Sequence, residues 1–186
     1  MKSNVTILLA SGRSVTGSYE HGEARLSDAL NQSLASVLRI AGATLGRFGN
    51  PVANEPVAMA IVPKNHAALI IAESQASGAS DKRMYSYVPK KTSELLVLLA
   101  GLRIRGSAHA AAQLDDVEMR RQLSESVDKF IVLTDAWLAF DVEGTTERSV
   151  GVVMVNARHI QFVATLPSAA PHVDAHALGE PVSTTT

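Results

Sequence analysis

The chain consists of short apolar runs separated by polar or glycine breaks. Residues 4–10 (NVTILLA) form one run, Ser11-Gly12 breaks it, and residues 13–20 resume a β-rich pattern. Two such runs around a Ser-Gly pair predict a hairpin, with glycine supplying the positive φ of a tight turn. Over residues 24–37 the period changes. Leu26, Leu30, Leu34 and Val37 share one helical face, and Ser27 or Asp28 stands where a cap is needed. Residues 37–41 predict a third strand, followed by a less regular stretch to Phe48. Residues 56–62 and 67–72 then flank Pro63-Lys64-Asn65-His66, which predicts a second hairpin.

The same succession then returns. Residues 94–99 and 102–109 flank Ala100-Gly101 and predict a hairpin. Leu114, Val117 and residues 119–123 predict a short helix, with Asp115 and Asp116 at its start and Arg120 and Arg121 further on, the charge order its dipole favours. Residues 130–134 read as a strand leading on to Phe140, and residues 149–155 and 160–165 flank Asn156-Ala157-Arg158-His159. In places the repetition is literal. ILLASGRSVTGS (7–18) aligns with LVLLAGLRIRGS (96–107), placing Leu9, Gly12, Val15, Gly17 and Ser18 over Leu98, Gly101, Ile104, Gly106 and Ser107. VAMAIVPKNH (57–66) lies over VGVVMVNARH (150–159).

A duplicated unit of about 70 residues sets the expected architecture. Each copy reads strand, strand, short helix, strand, strand, strand. Five short strands with turns between them predict a small closed barrel, which leaves no unpaired edge. Gly17 and Gly106, inside the second strand of each copy, predict bulges that curl the sheet. The expected fold is mainly β: two tandem five-stranded small barrels, each with one short helix. Residues 1–73 form the first barrel, 74–93 a linker and 94–166 the second barrel. Residues 167–186, with three prolines and scattered histidines, read as a disordered tail.

Composition narrows the class. At 46% hydrophobic and 19% charged residues, the chain reads as an ordinary globular protein. Only 4% of residues are aromatic, so the core must be largely aliphatic. Absence of cysteine excludes disulfides and thiolate metal sites and favours a reducing compartment, so a cytoplasmic location is expected. The first apolar run is too short for a signal-peptide core, and no run is long enough to span a membrane. Net charge is −1, but residues 1–73 are near neutral, 74–93 basic and 94–166 acidic. Opposite signs in neighbouring regions suit self-association better than a polyanion partner.

A hairpin with a glycine turn, a bulge glycine and then Leu26-Ser27-Asp28-Ala29-Leu30-Asn31 resembles the first signature of Sm-like (LSm) barrels, a kind of SH3-like small barrel. The last two strands of each copy occupy the place of their second signature. The usual Arg-Gly or Lys-Gly pair is replaced there by Lys64-Asn65-His66 and Arg158-His159. The chain is also similar to a family of short uncharacterised bacterial proteins with an Arg-Leu-Ser-Asp…Leu-Asn motif and a Phe-Ile-x-Leu-Thr-Asp motif. Residues 25–31 match the first and 130–135 the second. The resemblance implies RNA contacts through Asp28, Asn31, Lys64, Asn65 and His66, with Arg158 and His159 as the second copy's counterparts. It also implies joining of barrels through adjacent edge strands.

Each candidate has a local alternative. Asp28 and Asn31 are common helix-capping residues, and 63–66 and 156–159 are common turn residues. The loops carry no aromatic side chain for a base to stack on. His66 and His159 fall at matching places, which fits either a shared ligand site or hydrogen-bonded structural roles. Lys82, Arg83, Tyr85, Tyr87, Lys90 and Lys91 form the one basic, aromatic-interleaved stretch, readable as a nucleic-acid track or as a solvated linker. His172, Asp174 and His176 have metal-like residue types but no framework to hold them.

There is no Gly-x-Ser-x-Gly elbow and no phosphate-binding glycine loop, and no carboxylate finds a partner at readable spacing. No catalytic residue, cofactor or metal is expected. The favoured reading is a non-enzymatic scaffold that assembles with itself, or with another protein, through the strands at 57–62 and 150–155. RNA binding is the second reading, and a small-molecule sensor built on His66 and His159 the third.

Overall fold

The computed structural model describes residues 1–22, 25–32, 34–48, 50–73, 90–110, 114–125, 129–140 and 147–167. The first half contains β1 (Lys2–Leu9), β2 (Arg13–Glu20), α1 (Leu26–Gln32), β3 (Val37–Arg47), β4 (Asn50–Pro63) and β5 (Ala67–Ala72). The second contains β6 (Lys91–Leu99), β7 (Leu102–Ala110), α2 (Asp116–Glu125), β8 (Phe130–Phe140), β9 (Arg148–Asn156) and β10 (Phe162–Thr165). A single 3-10 turn precedes the last strand of each half, at Lys64–His66 and Ala157–His159.

All ten strands belong to one antiparallel sheet in the order β10-β6-β7-β8-β9-β5-β1-β2-β3-β4. Within each half the order is fifth, first, second, third, fourth. The halves join where β5 pairs with β9, Leu69 facing Val155 and Ala72 facing Val152.

Two closed barrels are therefore not what forms, and the predicted second hairpins are absent among the described residues. The cause lies in the 3-10 turns. The Lys64 N–H donates to the Ser36 carbonyl (2.8 Å), and the His66 carbonyl accepts from the Ala10 N–H (2.9 Å). The turn is thus pinned between the start of β3 and the β1–β2 turn, and the chain crosses to pair with β1 instead of folding back on β4. The second half repeats this, with Ala157 N–H donating to the Lys129 carbonyl (3.0 Å) and Gln161 N–H to the Leu98 carbonyl (2.9 Å).

Other expectations meet the structure more closely. Gly12 (φ 80°) and Gly101 (φ 70°) turn the hairpins in the left-handed region. Register shifts fall between Thr16 and Ser18 and between Arg105 and Ser107, so Gly17 and Gly106 do mark bulges. The first helix is shorter than its apolar stripe suggested. It ends at Gln32, leaving Leu34 fully exposed, while Val37 opens β3 opposite Pro63. Sheet pairing claims Val37 because its alternating successors Leu38 and Ile40 belong to the core. Asp28 lies inside the first helical turn and does not cap it. In the second half Asp115 is the cap, its Oδ1 accepting from the Glu118 N–H at 2.8 Å. The third strands run on past 41 and 134 to Arg47 and Phe140. β6 starts at Lys91, earlier than the expected boundary at 94, so Lys91 is a strand residue. No helix among the described residues is long and apolar enough to cross a membrane.

The two bulge glycines differ in tolerance. A Cβ on Gly17 would meet Ile40 Cγ2 at 2.6 Å and the Ala41 carbonyl oxygen at 2.9 Å, whereas one on Gly106 would meet its nearest neighbour, Leu133 Cβ, at 3.1 Å. Gly17→Ala is expected to destabilise the protein by about 1–3 kcal/mol through overpacking, and Gly106→Ala by less. Urea denaturation of both variants checks the order.

Candidate functional site

The seam between the halves collects most of the residues that the sequence singled out. Backbone pairing of β5 with β9 forms its floor. Apolar side chains then cross it in both directions. Phe130 and Met154, from the second half, are buried among Val5, Ile7, Leu30 and Ile70 of the first. Leu8, Leu69 and Ile71 of the first half pack into the second half's core with Leu99, Leu102 and Val153. Full burial of each such side chain contributes roughly 1.5–3 kcal/mol.

Polar side chains lock the seam. Asn31, at the end of α1, grips the backbone of Phe130 with both amide atoms: Nδ2 donates to the carbonyl (3.0 Å) and Oδ1 accepts from the N–H (2.7 Å). Asn156, almost fully buried, donates from Nδ2 to the carbonyls of Lys64 (3.0 Å) and Ala67 (2.9 Å). Its Oδ1 accepts from the Arg158 N–H (3.1 Å), shaping the second 3-10 turn. Lys64 Nζ donates to the Leu30 carbonyl at the C-terminal end of α1 (2.8 Å), where a cation suits the helix dipole. Burial lowers the Lys64 ammonium below the ordinary lysine range. His159 Nε2 donates to the Asn65 carbonyl (2.8 Å).

Asn31, Lys64, Asn65 and His159 thus lie along one seam: Asn31 holds Phe130, Lys64 holds Leu30 of the helix that carries Asn31, and His159 holds Asn65. Asp28 is exposed on α1. His66 and His159 do not share a site. His66 faces a groove of about 470 Å³ along β4, with Leu45, Val57 and Ile61. His159 and Arg158 line a separate cleft of about 470 Å³ between the two hairpin turns, beside the tilted Phe48–Phe140 pair. Lys90 is exposed, as is Lys91 at the start of β6. Lys82, Arg83, Tyr85 and Tyr87 lie outside the described residues, as do His172, Asp174 and His176.

Asn156 is the seam residue that sequence reasoning missed. Within Asn156-Ala157-Arg158-His159 it reads as a turn residue, expected there on local grounds alone. The available signal was its pairing with Pro63 at the matching place in the first half, an asymmetry between otherwise similar segments.

Two further polar features lie on the second half's open face. His109 bridges the Thr92 hydroxyl (3.1 Å) and the Thr134 hydroxyl (2.8 Å) across three strands. Asp135, in the left-handed region at φ 49°, lines a shallow cleft of about 680 Å³ with Trp137, Arg103 and Arg105. Arg105 is already paired with Glu94 at 2.9 Å. No group of three or more metal-ligating side chains occurs among the described residues.

The two ends of the sheet contrast with the seam. On β4, Met59 and Ile61 are exposed, and on β10, Phe162 is exposed. Of the two strands expected to serve as assembly edges, only β4 is terminal. β9 is interior, paired with β8 and β5 on its two sides. Comparison with known protein families, curated proteins and solved structures gives no match for the chain.

Asn156→Ala removes the amide donors from the part-buried Lys64 carbonyl and the buried Ala67 carbonyl and is expected to cost about 2–4 kcal/mol. Asn31→Ala, at a half-buried position, is expected to cost less. Guanidinium unfolding followed by circular dichroism measures both, and a neutral Asn156→Ala would remove that residue from the seam's support.

Proposed function

We propose that this chain is a non-enzymatic interaction module that assembles with further copies of itself through the ends of its sheet. The supporting observation is the state of those ends. Among the described residues, β4 and β10 each pair on one side only, and both carry large exposed apolar side chains. A sheet edge of that kind is a template for another strand, and chains that remain single protect such edges. β4 is also long, at 14 residues, and so offers an extended pairing surface.

The internal seam supports the same reading. A fourth strand and a fifth strand from different halves already pair there in antiparallel register, with apolar side chains crossing the junction. Strand order and element order repeat from one half to the other, as two copies of one ancestral unit would give. The Sm-like resemblance fits such a unit, with edge-to-edge joining as its mode of action.

Light scattering on the purified chain at micromolar concentration, with and without nuclease, tests the proposal. The expected mass is a multiple of 19.7 kDa that nuclease does not change. A mass of one chain overturns it. A mass that falls on nuclease treatment, with co-purifying nucleic acid, replaces it with RNA binding, whose affinity would drop steeply with salt.

A further inference from the structure

We infer that β4 of one chain pairs with β10 of a second copy, in the register that β9 and β5 already use inside the chain, and that this joint is the weaker and separable one. This rests on the assembly proposed above and specifies its partner edge, its register and its strength.

The argument begins with matched positions. The first residues of β3 and β8, Val37 and Phe130, and the first residues of the 3-10 turns, Lys64 and Ala157, are separated by the same interval along the chain. At that interval Ile61 matches Met154, and Leu69 matches Phe162. Met154 and Phe130 are 1% and 3% exposed because they enter the first half's core across the seam. Their counterparts Ile61 and Val37 are 64% and 38% exposed. Leu69 is 0% exposed because it enters the second half's core, and its counterpart Phe162 is 49% exposed. So the apolar side chains left in water at the two sheet ends match the ones that the seam buries. Each end lacks what the other end displays.

Transferring the seam register gives the contact in detail. Leu69↔Val155 becomes Phe162↔Val62, Ile70↔Met154 becomes Val163↔Ile61, Ile71↔Val153 becomes Ala164↔Ala60, and Ala72↔Val152 becomes Thr165↔Met59. The surfaces joined are different on the two chains, so the contact is head-to-tail and leaves a free β4 and a free β10 on every pair. The groove along β4, lined by Val15, Leu45 and Val62, is where the second copy's Phe162 would lodge.

The asparagine locks of the seam are not transferable. Asn156, which holds the Lys64 and Ala67 carbonyls, is matched by Pro63, which has no donor. Asn31, which grips Phe130, is matched by Ser124, whose hydroxyl is used on the Arg120 carbonyl (2.9 Å). Lys64 is matched by Ala157. The joint between chains keeps the strand pairing and the apolar contacts but loses the buried amide hydrogen bonds.

The chain has no cysteine, so disulfide trapping is clean. Ile61→Cys and Val163→Cys are introduced together in the full chain, which is then oxidised and run on a non-reducing gel. A covalent ladder that collapses with reductant is expected. Each single variant should remain uncrosslinked, and the pair Ile61→Cys with Thr165→Cys, two residues out of register, should crosslink at least tenfold more slowly. A dimer from Ile61→Cys alone would mean that β4 pairs with β4 and would overturn the head-to-tail joint while leaving self-assembly intact. Failure of assembly itself reads differently, as a one-chain mass in light scattering of the unmodified protein.

Strength is read by dilution. The mass should fall to one chain with the β-sheet circular dichroism unchanged, and Pro63→Asn with Ser124→Asn should lower the dissociation concentration about tenfold or more. Loss of mass only together with loss of β signal would overturn the weak joint.

Discussion

Every strand in a sheet has two backbone edges, and each edge must find hydrogen bonds. How the fifth strand of each half meets that requirement determines the rest of this structure. Pinned 3-10 turns send β5 and β10 across to the first strands of their halves, so neither returns to the fourth. One side of each fifth strand and one side of each fourth strand are left to be satisfied elsewhere. β9 and β5 satisfy each other, and a single ten-stranded sheet results where two closed barrels were expected.

Once that pairing is made, the side chains follow. Strand pairing sets which residues reach over the junction, and the register of Leu69 against Val155 brings Met154 and Phe130 into the neighbouring core. Asn31 and Asn156 then reach backbone groups that the crossing leaves without sheet partners. The polar residues of the seam thus resolve a backbone problem created by topology. This accounts for their geometry without a bound substrate, since both amide atoms of each asparagine are already engaged.

Much of the local structure was legible in the sequence. The hairpin glycines at 12 and 101 and the bulge glycines at 17 and 106 act through sterics within a few residues, and short-range pattern reports such effects directly. The recurring order of strands and helix was legible as well, because the same succession of apolar runs and breaks returns along the chain. What was not legible was non-local. Pro63-Lys64-Asn65-His66 has the composition of a hairpin turn, and nothing within it states that Ser36 and Ala10 will anchor it at an angle. Likewise the apolar stripe through Leu34 and Val37 satisfies a helical period, but the competing demand on Val37 comes from β4, where it faces Pro63. Asn31 was singled out for a motif resemblance, and its partner Phe130 lies 99 residues away, beyond the reach of local pattern.

Carrying two five-strand blocks on one polypeptide has an arithmetical consequence for the assembly proposed above. Any closed circle of such chains contains an even number of blocks, whatever curvature the sheet prefers, so odd-numbered circles are forbidden by covalent connectivity. If the assembly proposed above closed into a circle, its joints would alternate between tethered and untethered, and mechanical or chemical stress would sever every second one first, releasing intact chains instead of half-chains.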